Sequence, residues 1–411
     1  MSASAPGGPV PGTPEGAGQG LASFAATCAA TFAEEHWGRR PLLSRAADLP
    51  CPGHGFGSAA VDELLARRAL RTPFLRMAKD GAPLDAREFT LGGGVGAAVA
   101  DQVSEDKVLR LFADGATIVL QALHRSWAPV SASARALARD LGHPVQVNAY
   151  VTPPQNQGFD DHYDVHDVFV VQVEGEKHWR VRPPVLEWPL RNQPWTDRRE
   201  AVREAAAAEA VVDTVLGPGD CLYLPRGWLH SATALGGTSI HLTYGVHVWT
   251  RRTLAEDLLN AVSRRLDTDP ALREALPLGV DPLDAATTAT ARAALHESIL
   301  AALDDVEDDE LAAVLARRAR SAARAEPLDV LAQHAAAAAP AELPWRVRAG
   351  LSARWVGATL VTRLGRLELA EDEAALVADV LGGERPPGSL PEDLRRRLVL
   401  GGVLVPAAPA P

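Results

Sequence analysis

The feature that most constrains the fold is a series of short runs, rich in β-branched and aromatic residues, between about residues 145 and 250. The runs are VQVNAYV, DVFVVQVE, KHWRVR, VVDTVL, DCLYLP and SIHLTYGVHVW, and turn-forming Gly, Pro or Asp residues bound them. Runs of this kind are typical of β-strands. Because several of them occur in a row, they predict an antiparallel sandwich or barrel rather than a βαβ sheet.

Helical patterns flank the predicted strands on both sides. They alternate with loops from about residue 21 to 125, and they return after Trp249 in RTLAEDLLNAVSRRL, ARAALHESILAALDDV and DDELAAVLARRARSAARA. The Gly/Pro/Ala/Ser-rich N-terminus predicts a disordered tail, and an alanine run followed by Pro340 and Pro344 predicts a boundary. The expected parts are a tail over 1–20, a mainly-β domain with flanking helices over 21–250, a helical region over 251–340 and a small final unit over 341–411.

Composition and charge exclude several classes of protein. The formal net charge of -11 argues against non-specific binding to nucleic acid or to an anionic membrane. The N-terminus lacks the basic segment and the apolar run of a signal peptide, and no stretch approaches the roughly 20 apolar residues that span a bilayer. Three widely spaced cysteines, Cys28, Cys51 and Cys221, suit a reducing compartment. The sequence therefore predicts a cytoplasmic protein without a membrane or a direct nucleic-acid partner.

The residues with the clearest chemistry are concentrated in QGFDDHYDVHDVFVVQVEGEKHW and GDCLYLPRGWLH. In a strand, residues i and i+2 point to the same face, so His162 and Asp164 are expected to present an imidazole and a carboxylate side by side. In the second segment a predicted strand ends in a turn containing Pro225 and Gly227, which returns His230 towards the barrel interior. The pattern His-x-Asp…His therefore predicts a metal site.

Two imidazoles and one carboxylate on one face of an octahedral ion are the ligand set of non-haem Fe(II) oxygenases. This set leaves three positions open, so a 2-oxo acid can chelate two of them and O₂ can occupy the third. A zinc ion with the same ligands needs a single open position, so the ligand set does not by itself choose the metal. His166 shares the strand parity of Asp164 and is a rival ligand, one strand step further away.

The segments NAYVTPPQNQGFDDHYDVHDVFVVQVEGEKHWRV and LYLPRGWLHSA resemble the ribosomal oxygenase branch of the JmjC/cupin family. EEHWGRRPLL and FLRMAKDG extend the similarity over roughly residues 20–250. The resemblance implies a mainly-β catalytic core of the double-stranded β-helix, or jelly-roll cupin, type. It also implies Fe(II), the co-substrates 2-oxoglutarate and O₂, and hydroxylation of a side chain on a protein substrate such as a ribosomal protein. The family's catalytic metal ligands match His162, Asp164 and His230.

The resemblance also implies the residues that bind the co-substrate. Lys177, fifteen residues after His162, stands where the family carries a cation for the distal carboxylate of 2-oxoglutarate. Asn148 and Tyr150 lie on the polar face of VQVNAYV and match positions that contact the co-substrate. Thr243, on the polar face of SIHLTYGVHVW, is a candidate hydroxyl for it. Relatives often carry a serine where this chain has Gly245, so that contact is missing from the pattern.

The C-terminal part resembles the dimerisation helices and the winged-helix-like domain of ribosomal oxygenases. The amphipathic helices of 251–340 suit self-association, and the resemblance implies a homodimer. The acidic segment DDVEDDELA argues against nucleic-acid binding by this part.

Three alternatives to protein hydroxylation remain open from the sequence. The first is the same oxygenase chemistry on a peptide natural product or an amino acid, and the second is a JmjC-type demethylase. The third is a cupin that binds metal without catalysis. The sequence does not identify the substrate, because the loops at the mouth of the pocket determine it.

Overall fold

The computed structural model describes residues 19–50, 55–79, 81–154, 156, 160–276, 278, 285–322, 324–338, 344–362 and 365–407. Residues 1–18 of the predicted tail lie outside the described residues, while Gln19 and Gly20 begin a helix. The described residues fall into two compact units, one within 12–248 and one within 249–411.

The first unit is built around antiparallel strands. They are β1 (Leu42–Ser44), β2 (Leu75–Lys79), β3 (Ala82–Pro83), β4 (Thr90–Leu91), β5 (Gln102–Val103), β6 (Thr117–Leu120), β7 (Val145–Thr152), β8 (Asp167–Arg182), β9 (Val212–Leu216), β10 (Cys221–Leu224) and β11 (Leu229–Val246). Nine of them form one sheet in the order β1-β10-β8-β11-β7-β6-β2-β3, with β9 also paired to β8, and β4 pairs with β5. The predicted antiparallel β core is confirmed.

Helices flank this sheet, as the sequence predicts. They are α1 (Gln19–Ala22), α2 (Ala29–Thr31), α3 (Ser58–Arg67), α4 (Glu105–Ala113), α5 (Leu123–Ser126), α6 (Ala128–Leu141) and α7 (Arg199–Ala206). Helix α6 shows why the boundaries fall where they do. Pro129 lies in its first turn, where its missing N–H costs nothing, and Gly142 ends it with a φ of 69°.

Strands β8 and β11 are continuous where the sequence predicts breaks at glycines, and the prediction is wrong there. The two strands pair along their length with a register shift between Leu235 and Ile240. Gly175 has a φ of 64° and Gly236 a φ of 67°. A Cβ on Gly175 would lie 2.3 Å from the carbonyl oxygen of Thr238. These glycines therefore allow an irregularity inside a long strand pair rather than ending the strands.

Strands β7 and β11 present one apolar and one polar face, as their alternation predicts. Val147 on β7 and Leu242 on β11 are fully buried in the main hydrophobic core, which also contains residues of the flanking helices. On the other face Thr243 lies opposite Asn148, and His241 lies opposite Tyr150. The register therefore places the predicted polar residues in adjacent pairs on one face of the sheet.

The second unit consists of helices and short strands. Its helices are α8 (Arg251–Leu266), α9 (Ala285–Asp304), α10 (Asp308–Ala322), α11 (Val330–Ala337), α12 (Glu371–Gly382) and α13 (Glu392–Leu400). Its strands are β12 (Trp345–Val347), β13 (Ala353–Val356), β14 (Thr359–Thr362), β15 (Gly365–Glu368) and β16 (Leu404–Pro406). Among the described helices of the whole chain, none has the length and the apolar composition that crossing a bilayer requires.

Candidate metal centre

Three side chains that the sequence singles out come together in the first unit. His162, Asp164 and His230 each offer a ligand atom, and these atoms lie within 4.8 Å of one another. The Nε2 atom of His230 is 3.8 Å from Oδ2 of Asp164, and the two imidazole centroids are 4.4 Å apart. His230 is buried, whereas His162 and Asp164 are partly exposed, so a ligand can reach the cluster.

Backbone pairing explains why the three side chains converge. The N–H of each histidine donates to the carbonyl of the other, at 3.2 Å for His162 and 2.8 Å for His230. The two residues therefore lie directly opposite each other, as in an antiparallel strand pair. The N–H of Gly227 donates to the carbonyl of Asp164 at 3.0 Å. Asp164 precedes strand β8 rather than lying within a strand as predicted, but its local pairing preserves the expected parity.

Carbonyl groups orient both imidazoles. Nδ1 of His162 lies 2.7 Å from the carbonyl oxygen of Asp160, and Nδ1 of His230 lies 3.0 Å from the carbonyl oxygen of Trp228. A carbonyl oxygen can only accept, so in both rings Nδ1 carries the proton and Nε2 keeps its lone pair. Metal-binding histidines are commonly held in this way.

The charge states suit a divalent cation. Burial and the neighbouring His162 lower the pKa of His230 to about 4, so this imidazole is neutral near pH 7. Burial alone would raise the pKa of Asp164, but the surrounding imidazoles, His166 foremost, hold it below its ordinary value. Two imidazole nitrogens and one carboxylate fit an octahedral ion such as Fe(II).

Lys177 is a buried cation on strand β8, with 4 % of its surface exposed. Its Nζ donates to Oγ1 of Thr152 at 3.1 Å. No carboxylate of the described residues forms an ion pair with it, and burial lowers its pKa to about 7. A buried ammonium without a carboxylate partner is costly unless an anion joins it. The residue therefore fits an anionic ligand, as the sequence predicts.

The other predicted co-substrate residues lie on the same polar face. Asn148 accepts a hydrogen bond from the N–H of Ala122 at 3.1 Å. The ring of Tyr150 stacks on His241 with a centroid distance of 4.9 Å, and burial together with the nearby Asp164 raises its pKa to about 12. Thr243 is partly buried opposite Asn148.

His166, the rival ligand, lies outside the three-residue cluster. Its ring stacks on His247 with centroids 5.5 Å apart. A Cβ on Gly245 would lie 2.7 Å from Cδ2 of this ring. The imidazole therefore occupies the space that a side chain at position 245 would need, which explains why this chain has glycine there.

A buried polar group that the sequence pattern does not reveal positions the turn before His230. Asp167 is fully buried and accepts from the hydroxyl of Tyr223 at 2.6 Å, from the N–H of Arg226 at 3.2 Å and from its Nη1 at 3.3 Å. Strand parity could have indicated that Asp167 is buried, because it shares a strand face with the core residues Phe169 and Val171. The alternation in SIHLTYGVHVW places His241 with Thr243 on the face expected to line the cavity, but gives it no individual role.

Comparison with known proteins finds sequence relatives of part of this chain. The model for the JmjC domain matches residues 128–254, just under a third of the chain. A relative from Drosophila persimilis, named bifunctional lysine-specific demethylase and histidyl-hydroxylase NO66, is 37% identical over 33% of this chain and 19% of its own length. Ribosomal oxygenase 1 of Gallus gallus is 31% identical over 60% of this chain and 40% of its own length. The chain thus spans well under half of these curated relatives.

Solved structures extend the likeness to nearly the whole chain. The crystal structure of the Escherichia coli ribosomal oxygenase YcfD matches with a TM-score of 0.55 and 18% identity, covering 93% of this chain and 98% of that one. The same protein in complex with cobalt and 2-oxoglutarate matches with a TM-score of 0.53 and 16% identity, covering 93% and 99%. Residues 128–254 thus match the JmjC domain model, the curated relatives include ribosomal oxygenases, and the chain shares the fold of the solved bacterial ribosomal oxygenase.

Proposed function

We propose that this protein is an Fe(II)- and 2-oxoglutarate-dependent oxygenase that hydroxylates a side chain of a protein substrate, such as a ribosomal protein. The observation that carries the proposal is the pairing of two features on one sheet. The His162, Asp164 and His230 cluster offers three ligands, and Lys177 is a buried cation without a carboxylate partner among the described residues. A metal-chelating keto acid with a second carboxylate satisfies both features.

The relatives support this assignment. One is named as a histidyl-hydroxylase and another as a ribosomal oxygenase. The solved bacterial ribosomal oxygenase binds cobalt and 2-oxoglutarate. Cobalt stands in for Fe(II) there, because both ions accept the same octahedral nitrogen and oxygen ligands.

Each site residue has a task in the proposed reaction. His162, Asp164 and His230 would hold Fe(II), and the carbonyl-bound Nδ1 atoms of the two histidines would leave their Nε2 lone pairs available to the ion. Iron and 2-oxoglutarate, when bound, would supply the oxidising chemistry that converts 2-oxoglutarate and O₂ to succinate and CO₂ and places one oxygen atom on the substrate. Lys177 would hold the distal carboxylate in a dry environment, where its charge acts more strongly than in water. The protein's contribution is to position these groups and to exclude water.

The decisive experiment measures succinate formed from 2-oxoglutarate by the purified chain with Fe(II) and ascorbate. Ribosomal proteins from cells lacking this gene serve as substrates, and mass spectrometry locates a gain of one oxygen atom. Asp164→Ala is the matched control and is expected to abolish the reaction. A metal-binding cupin without catalysis would consume no 2-oxoglutarate, which would refute the proposal.

The name of one relative, which includes lysine-specific demethylase, favours a second candidate. Demethylation begins with the same hydroxylation but removes a methyl group, so the product loses one CH₂ unit rather than gaining oxygen. The same assay on methylated peptides separates the two activities. A product mass change on free amino acids or small peptides alone would redirect the proposal to those substrates.

We also propose that the region 251–340 mediates homodimerisation. Helices α8 and α9 carry exposed apolar side chains, namely Leu259 on α8 and Leu295, Ile299 and Leu300 on α9. A second copy of the chain would cover these side chains. Light scattering at micromolar concentration is expected to give the dimer mass, and a monomer mass would contradict it.

The remaining assignments concern domain organisation and location. We propose that 341–411 form a winged-helix-like domain, supported by the β13-β14-β15 sheet and by the core that Leu360 shares with α12 and α13. We propose a tail over 1–20 and a catalytic domain over 21–250, so limited proteolysis should cut near residues 20, 250 and 340. We propose a cytoplasmic location from the sparse cysteines, which cell fractionation tests.

A further inference from the structure

The polar face of the sheet holds buried polar atoms that lack hydrogen-bond partners among the described residues. They are Oε1 of Gln172, Nε1 of Trp179 and Nδ1 of His241. All three residues are at least nine-tenths buried. Leaving a buried polar atom unpaired costs roughly 1–3 kcal/mol, so such atoms in native proteins usually serve a ligand, a water or a functional site.

His241 is the most informative of the three because of its surroundings. Its ring lies flat against Tyr150, with 3° between the ring planes. It meets the edge of Trp179 at a centroid distance of 5.5 Å, and Trp179 in turn stacks on His230. Its electrostatic neighbours are Lys177 and His230. The imidazole is therefore a neighbour of both the buried ammonium and the metal-ligand cluster.

A keto acid that contacts both the metal ligands and Lys177 would come close to this imidazole, since His241 neighbours both groups. We propose that His241 is a further co-substrate-binding residue, whose Nδ1–H donates a hydrogen bond to the distal carboxylate of 2-oxoglutarate beside Lys177. The inference rests on the proposed function. It assigns to His241 and its stacking partner Tyr150 the selection of keto acids that carry a second carboxylate.

The alternative is a histidine that serves only as a flat ring in the core. The stack on Tyr150 would satisfy that role, but a phenylalanine would satisfy it better, because it brings no unpaired nitrogen into the core. One substitution therefore distinguishes the two roles. His241→Phe retains a flat, stacking ring and removes both ring nitrogens, including the Nδ1–H donor.

The test measures binding to the Mn(II)-loaded protein without turnover, by calorimetry with 2-oxoglutarate and by competition with pyruvate, which has no distal carboxylate. His241→Phe is expected to raise the Kd of 2-oxoglutarate about tenfold, the loss of one hydrogen bond to a charged group. The Kd of pyruvate is expected to stay unchanged, and the melting temperature should not fall, because the substitution removes an unpaired buried nitrogen. His241→Asn places an N–H donor near the position of Nδ1 and is expected to bind 2-oxoglutarate more tightly than His241→Phe.

His178→Phe is the matched control. His178 is the neighbour of Lys177 on β8, points to the opposite face and pairs with Asp213, so this change should leave both affinities as they are. Equal 2-oxoglutarate affinity in His241→Phe and the wild type would overturn the inference alone, and so would an equal loss for both keto acids. Failure of the wild-type Mn(II) protein to bind 2-oxoglutarate would overturn the proposed function and this inference together.

Discussion

Strand β8 carries two buried charges with opposite surroundings. Asp167, at its first residue, accepts from the Tyr223 hydroxyl, from the Arg226 backbone N–H and from the Arg226 guanidinium. Lys177, ten residues later, has one hydroxyl partner, Thr152, and no carboxylate among the described residues. A buried charge whose partners all belong to the protein needs no ligand. An incompletely paired buried charge needs a partner of opposite charge from outside the chain.

This difference separates a structural charge from a ligand-binding charge without reference to any relative. Asp167 ties the start of β8 to the turn that carries Gly227 and leads to His230, so its partners maintain the geometry of the metal cluster. Lys177 has no comparable structural contact among the described residues beyond its hydrogen bond to Thr152. Substitution of Asp167 should therefore lower the free energy of unfolding, and substitution of Lys177 should weaken ligand binding.

The largest expected effect is on stability at Asp167. Asp167→Ala leaves the mostly buried Arg226 guanidinium without its counter-charge, which costs about 3–5 kcal/mol of the free energy of unfolding. Urea denaturation measures it. The more exposed Arg71–Asp101 pair provides the control, because solvent screens such a pair and Asp101→Ala should cost far less. An equal loss of unfolding free energy in Asp167→Ala and Asp101→Ala would show that Asp167 is no more important for the fold than a more exposed charge.

The second effect is on affinity at Lys177. Lys177→Met is expected to raise the Kd of 2-oxoglutarate about 100-fold, near 2.7 kcal/mol, because the distal carboxylate loses its charged donor. The free energy of unfolding should not fall, since an incompletely paired buried charge is removed. Calorimetry with the Mn(II) protein and urea denaturation test both parts. A large loss of stability with unchanged affinity would make Lys177 the structural charge.

The third effect is a pH dependence of the same residue. Burial lowers the pKa of Lys177 from 10.5 to about 7, so between these values the unfolded chain holds a proton that the folded chain lacks. The stability contribution of this group therefore rises with pH across that window and is smallest below pH 7. A bound carboxylate favours the ammonium, so above pH 7 binding takes up a proton and the affinity falls by up to about tenfold per pH unit.

Calorimetry in two buffers of different ionisation enthalpy measures this proton uptake. Lys177→Arg is the control, because arginine stays charged throughout the range and its affinity should not change with pH. A wild-type affinity that is constant from pH 7 to 9 would show that Lys177 does not face the co-substrate.

The smallest effect is expected at Thr243. Thr243→Val removes a hydroxyl from the polar face and should raise the Kd of 2-oxoglutarate about threefold, the loss of one neutral hydrogen bond. Thr233 lies on the same strand but on the opposite face of the sheet, where it pairs with His178. Thr233→Val should therefore leave the Kd of 2-oxoglutarate unchanged. If the two variants bind alike, Thr243 is a wall residue without a co-substrate contact.

Local pattern was enough to predict much of this architecture. Alternation in VQVNAYV and SIHLTYGVHVW placed Asn148, Tyr150 and Thr243 on one face, and the register agrees. The pattern His-x-Asp…His identified the side chains that the fold brings together. These predictions depend on the two-residue period of a strand, which the sequence displays directly.

Long-range pairing was not predictable in the same way. Nothing local indicates that Tyr223 and Arg226 close over Asp167, or that carbonyls of Asp160 and Trp228 fix the two imidazole tautomers. The sequence predicts a strand end at Gly175, because a glycine in a turn and a glycine in an irregular strand look alike in sequence. The unpaired nitrogen of His241 exists only once the neighbouring strands are in place.

Anaerobic visible spectroscopy of the protein with Fe(II) and 2-oxoglutarate tests the central claim most directly. A keto acid that chelates iron through its carboxylate and ketone produces a metal-to-ligand charge-transfer band, which simple iron binding does not. The account predicts this band in the wild type at one iron per chain and its loss in Asp164→Ala. A wild type without the band, or a band that survives in Asp164→Ala, would contradict it.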